Sequence, residues 1–226
     1  MKNYLKSTIF RKILASLSGL FLVIFLIGHL VGNLQLFIPG ELGKTQFNKY
    51  ALFMTTNPGV FILSLITYSC IILHVFLTIY LAIISKKARP IQYYKASVSD
   101  TSTWSSRNMT FLGIILLLFI IVHMRSFWYE MHFGIIPYQI LEDGTKIKDL
   151  HQITTESFKQ GWYTSFYVIC MFFMGLHLYH GVQSGLQTIG LKTRKYAASL
   201  NIIGLMVSIL IPIAFASIPI YIYIIG

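Results

Sequence analysis

Seven histidines occur in the chain, and four of them, His29, His74, His123 and His177, lie inside long apolar segments. A neutral imidazole can give one ring nitrogen to a metal and the other to a hydrogen-bond partner, so a histidine kept from water is a natural axial ligand. Left alone in hydrocarbon the same group is costly, and ionisable side chains inside membrane segments mark functional paths. Four of them in a chain with 11% charged residues predict paired metal ligands rather than four unrelated hydrogen bonds.

The segments that must position these histidines are long. The chain has 226 residues, 55% of them hydrophobic, and a hydrocarbon layer of roughly 30 Å is crossed by about 20 apolar residues in a helix. Five stretches reach that length, near residues 13–38, 59–84, 108–128, 163–187 and 197–223. None shows the period-two alternation of a barrel strand. The expected fold class is an all-α integral membrane protein, a single domain over 1–226 whose five transmembrane helices form a bundle. Lys2, Lys6, Arg11 and Lys12 precede the first stretch as in a secretory signal. That stretch is about twice the usual length of a signal core and contains a histidine, so it is read as a span.

Charge then predicts orientation. Five spans divide the polar segments into two sets, and the N-terminal set holds Lys2, Lys6, Arg11, Lys12, Lys86, Lys87, Arg89, Lys95, Arg107, Lys192, Arg194 and Lys195 against the single acid Asp100. The opposite set mixes Lys44, Lys49, Arg125, Lys146, Lys148 and Lys159 with Glu41, Glu130, Glu142, Asp143, Asp149 and Glu156. The positive-inside rule puts the N-terminus in the cytoplasm and the C-terminus outside. The net charge of +11 is accounted for by cytoplasmic anchoring and an acidic partner, with no nucleic-acid-binding module in the sequence.

Depth along the spans pairs the histidines. The first and third spans run outward, and His29 and His123 lie past their midpoints, which predicts an outer layer. The second and fourth run inward, and His74 and His177 lie past theirs, which predicts an inner layer. At about 1.5 Å of rise per residue the two layers are expected roughly 10 Å apart. Two bis-histidine irons, each in a flat macrocycle, would stack across the bilayer, with Gly28, Gly32, Gly113, Gly175 and Gly181 leaving room for a macrocycle or a neighbouring helix. His180 follows His177 by three residues and projects from nearly the same face, so spacing leaves both open as the inner ligand. His132 and His151 fall at or beyond the outer end of the third span and are expected in solvent. Cys70 and Cys170 form neither a C-x-x-C-H attachment motif nor the four thiolates of an iron–sulfur cluster, so the haems would be non-covalent, b-type.

With these residues in place the chain resembles the cytochrome b membrane anchor of succinate dehydrogenase and fumarate reductase, in its single-polypeptide, five-helix, two-haem form. The resemblance covers nearly the whole length. It is carried by SLSGLFLVIFLIGHLVGN with His29, FNKYALFM after it, ILHVFLTIY with His74, FIIVHM with His123, and LHLYHGVQSGLQTIG. In the last stretch the family's ligand stands thirteen residues before the final glycine, which matches His177 and Gly190 and favours His177 over His180.

The resemblance implies two haem b groups, the inner held by His74 and His177 and the outer by His29 and His123. It also implies a membrane quinone, with menaquinone expected, and a bacterial cytoplasmic membrane. FAD and iron–sulfur clusters would reside in partner subunits only, a flavoprotein and an iron–sulfur protein on the cytoplasmic face, and a dimer of heterotrimers is allowed. Activity as a succinate:quinone oxidoreductase would belong to that assembly rather than to the isolated chain. Polar candidates for the quinone or for haem propionates are Asn33, Arg125, Tyr129 and Glu130 towards the outside, and Ser16, Ser18, Lys12 and Arg107 towards the inside. Some fumarate reductases of the family carry a proton-transferring glutamate two residues before the fourth-span ligand. Here that position is Gly175.

Three other readings share some of these features, one of them a haem-free structural anchor. A di-haem anchor of a hydrogenase or formate dehydrogenase would have a different helix count and histidine spacing. A transporter would want an acidic residue deep in a span and an inverted repeat, and the sequence offers neither. The fifth span has no histidine and no charge, and is expected to pack, bent by Pro212 and Pro219.

Overall fold

The computed structural model describes residues 7–88 and 104–225. Lys2, Lys6, Arg89, Lys95 and Asp100, which enter the charge argument, lie outside the described residues. Helix α1 (Thr8–Asn33) starts where the Ser7 hydroxyl accepts from the Phe10 N–H at 3.1 Å, and a tight turn at Leu34–Phe37 ends it. Helix α2 (Gly40–Thr56) is followed directly by α3 (Pro58–Lys87). Asn57 caps α3 by accepting from the Gly59 and Val60 N–H groups, and Pro58 takes the first helical position, where no amide proton is needed.

A short helix α4 (Trp104–Arg107) leads into α5 (Met109–His123), which continues through a π-helical turn, Met124–Tyr129, into α6 (Glu130–Phe133). A small hairpin, β1 (Tyr138–Ile140) and β2 (Lys146–Lys148), pairs Gln139 with Ile147 and turns through Gly144 at φ +79°. Helix α7 (Leu150–Phe158) then precedes α8 (Gly161–Thr188) and α9 (Ala197–Ile225).

Five helical stretches are long and apolar enough to cross a membrane: Thr8–Phe37, Pro58–Lys87, Met109–Phe133, Gly161–Thr188 and Ala197–Ile225. Their outward side chains, including Ile24, Phe61, Ile72, Phe76 and Phe172, are exposed in the isolated chain. That continuous apolar belt is matched to lipid, and the protein is a multi-pass membrane protein with an all-α bundle. Most of the spans' ends lie beyond the expected ones. Polar caps such as Ser7 and Asn57 stop a helix by satisfying its free amides, whereas hydropathy marks only the apolar middle.

Packing arranges the first four spans as a ring. α1 lies against α3 and α8, α5 lies against α8 and, more lightly, α3, and among the described residues the backbones of α1 and α5, and of α3 and α8, make little close approach. α9 sits outside the ring, packed chiefly on α8. Gly175 makes that contact close, since a Cβ there would stand 3.0 Å from the Ser208 carbonyl oxygen. Pro212 and Pro219 are buried within α9, which runs through both without a break.

Candidate functional site

The ring leaves its two diagonals unfilled by backbone, and each diagonal carries one histidine pair. His29 of α1 and His123 of α5 face each other with ring centroids 5.7 Å apart and planes at 89°. His74 of α3 and His177 of α8 do the same at 6.5 Å and 77°. His180 lies one turn further along α8, half-buried and without a ring contact among the described residues.

The two pairs lie at different heights. His74 sits beside Ala15 and Ser18, in the early turns of α1, so its pair forms the layer near the N-terminal face. His29 lies well beyond them on the same helix, and its pair forms the far layer. Gly113 is level with His177, and His123 follows ten residues later on α5, which is about 15 Å of helix.

Each layer fixes one imidazole by its Nδ1 atom. His74 Nδ1 lies 3.0 Å from the Ala15 carbonyl oxygen and 3.4 Å from the Ser18 hydroxyl, which donates to the same carbonyl at 3.0 Å. Gly19 permits this seat, since a Cβ there would fall 2.8 Å from His74 Cε1. His123 Nδ1 lies 3.2 Å from the Tyr167 hydroxyl, which is 2.9 Å from that of Tyr163. The second imidazole of each layer is held differently. His29 packs between the rings of Phe25, at 5.5 Å, and Phe215, at 5.7 Å. His177 buries its Nδ1 with no hydrogen-bond partner among the described residues.

The glycines divide by neighbour. Gly113 opens towards His177, whose Cε1 at 3.9 Å is all that an added Cβ would meet. Gly32 admits the ring of Tyr50 from α2, Gly28 is exposed, and Gly181 is loosely faced by Met109.

The polar candidates separate into distinct places. Arg125, Tyr129 and Glu130 come together, the guanidinium pairing with Glu130 and lying 4.5 Å over the Tyr129 ring. Asn33 donates its amide to the His29 carbonyl at 2.7 Å, inside its own helix. Ser16 is half-buried on α1, while Lys12 and Arg107 are exposed near the N-terminal face. Arg11 binds the Tyr80 hydroxyl at 2.8 Å and ties α1 to α3.

Over the far end lies a cap that hydropathy does not signal. Asn48 of α2, 0% exposed, donates to Gln139 Oε1 and Asp149 Oδ1, both at 2.9 Å, and accepts from the His151 N–H at 2.9 Å. Lys44 pairs with Asp149 at 2.9 Å, and Gln139 donates to Thr45 at 2.7 Å. Burial works to raise the Asp149 carboxyl, but hydrogen bonds from Asn48, Lys44 and the Gln152 N–H outweigh it and hold the group below its ordinary value. The hydrogen bond to Asp149 raises Lys44. His151, expected in solvent, is half-buried with its ring 6.0 Å from Phe47, and burial lowers its pKa against the opposing charge of Asp149. His132 is exposed as expected, stacked on Trp128 at 4.5 Å.

Sequence reasoning missed Ala15, Gly19, Tyr163 and Tyr167. The last two carry a signal, phenols at i and i+4 in an apolar span, but a carbonyl and a glycine carry none. Among the described residues no group of three or more histidine, cysteine, aspartate or glutamate side chains could hold a bare metal ion. In comparisons with known proteins, no family model, no curated protein and no solved structure matches the chain.

Proposed function

We propose that the chain is the di-haem cytochrome b anchor of a succinate:quinone oxidoreductase, carrying electrons between an iron–sulfur subunit and membrane quinone. The observation that carries the haem reading is the pair of facing imidazoles on each diagonal of the ring. Two imidazoles on opposite sides of one iron, with metal–nitrogen bonds of about 2.0 Å, put their ring centres about 6 Å apart. The 5.7 and 6.5 Å separations straddle that value, and the absence of a side chain at Gly113 facing His177 and the unpartnered, buried Nδ1 of His177 suit a flat group between the helices.

In this reading His74 and His177 hold the inner haem and His29 and His123 the outer one, with the N-terminus in the cytoplasm. Haem held by two histidines would supply a one-electron carrier suited to electron transfer rather than oxygen binding. The protein orients the imidazoles, His74 through Ala15 and Ser18 and His123 through Tyr167, and its apolar walls exclude water. The basic N-terminal face, with Lys86, Lys87, Lys192, Arg194 and Lys195, suits docking of acidic partner subunits and anionic lipid. The cluster of Arg125, Tyr129 and Glu130 remains the quinone candidate nearest His123 along the chain.

The test is purification of the chain with its neighbouring subunits, followed by reduced-minus-oxidised spectra and succinate-dependent quinone reduction. Two b-type haems reduced by succinate are expected. The absence of any b-type band overturns the haem reading, and reduction by hydrogen or formate instead of succinate reassigns the partner enzyme.

A further inference from the structure

Tyr163 and Tyr167 are each 6% exposed, yet they bring two phenol hydroxyls into the apolar interior. Their walls are aromatic: Phe119 lies 5.0 Å and Phe158 4.9 Å from the Tyr167 ring, and Phe127 packs on His123 at 5.4 Å. Among the described residues, the groups within hydrogen-bonding reach of the Tyr167 oxygen are His123 Nδ1 at 3.2 Å and the Tyr163 hydroxyl at 2.9 Å. A buried hydroxyl with so few partners has few ways to arrange its proton.

We propose that Tyr167 is a positioning residue for His123, with Tyr163 as the next link of a two-phenol chain that sets the tautomer and basicity of the far-layer ligand. The inference rests on the haem reading above. If His123 binds iron through Nε2, its Nδ1 carries the proton and donates to Tyr167, whose own proton then goes to Tyr163. Both directions of that chain are open until Nε2 is taken, and ligation selects one. A hydrogen bond accepted from Nδ1–H makes the imidazole a stronger donor to iron and stabilises the oxidised state. Tyr167 therefore lowers the midpoint potential of one haem and leaves the other unaffected.

The experiment is a spectropotentiometric titration of the assembled complex, with the far-layer wave assigned as the one lost in His29→Ala. Tyr167→Phe is expected to raise that wave's midpoint and leave the other in place, since the ring and its packing are kept. Tyr163→Phe is expected to move the same wave in the same direction by less. The double variant should match Tyr167→Phe alone, because links of one chain are not additive. Loss of only the far-layer haem in Tyr167→Phe also supports the positioning role, and Tyr163→Phe then supplies the potential shift. The inference is overturned if both waves stay in place, if both move together, if both haems are lost, or if the two single shifts add. A complex with no b-type haem before any substitution is a failure of the haem reading instead, and is seen first.

Discussion

The two histidine layers are built on one plan and secured by different means. In each, a pair of imidazoles spans a diagonal of the four-helix ring, and one of the two is fixed through Nδ1. The layer near the N-terminal face uses a backbone carbonyl, that of Ala15, with Ser18 beside it and Gly19 giving way to the ring. The far layer uses side chains, Tyr167 and Tyr163, enclosed by phenylalanines. A backbone acceptor survives almost any substitution at its own position, whereas a phenol is lost by a single change. The first arrangement gives a fixed imidazole environment and the second an adjustable one.

The widest separation between the layers should come from removing a ligand. His74→Ala is expected to abolish one b-type haem and retain the other, with His29→Ala removing the complementary one, as read by haem-to-protein ratio and difference spectra. Identical residual spectra from the two variants would break the assignment of separate layers. Next in size, Gly19→Val should crowd His74 out of its seat at an overpacking cost of about 1–3 kcal/mol, and lower occupancy of its layer alone. Gly28→Val, where an added Cβ meets nothing within 4 Å, is the matched control with both haems expected in place.

The cap distinguishes the far end again. Asn48→Leu removes the donor to Gln139 Oε1 and Asp149 Oδ1 and the acceptor of the His151 N–H, and should destabilise the cap by about 1–3 kcal/mol. Hydrogen exchange in α2 and α7 is the readout, and unchanged protection there would remove Asn48 as the link. Acid should act in the same place. His151 and Asp149 both have folded-state pKa values below the ordinary 6.5 and 3.8. Each therefore contributes stability that is present above its ordinary value and lost as pH falls below it, His151 first and Asp149 at lower pH. Protection of the cap should decline in that order while the layer near the N-terminal face is untouched.

The smallest effects should come from Ser18→Ala and His180→Ala. The first leaves the Ala15 carbonyl in contact with His74 and should shift only that layer's midpoint slightly. The second should keep both haems, and loss of one would move the ligand from His177 to its neighbour.

The five spans were legible because apolar length is a property of the sequence itself, and the four interior histidines stood out for the same reason. The glycines show where such reading stops. Gly28, Gly32, Gly113, Gly175 and Gly181 look alike in the sequence, yet Gly28 is exposed, Gly32 faces Tyr50, Gly113 faces His177 and Gly175 faces Ser208. Which way a helix turns its faces depends on its neighbours. Asn33, Arg125 and Glu130 likewise drew notice as polar groups near a span end, but only packing showed Asn33 bonded within its own helix and the other two bonded to each other.

Hydropathy and charge, being sums over local residues, are enough by themselves to define a five-span membrane protein with imidazoles at two depths. The ring order of the helices, the partners of each Nδ1 and the polar cap joining Asn48 to Asp149 across 101 positions depend on contacts between segments distant in the chain. Those contacts are selected by shape and by hydrogen-bond satisfaction, which no local pattern encodes. For that reason the tertiary structure alone decided that one layer rests on a carbonyl and the other on a pair of phenols.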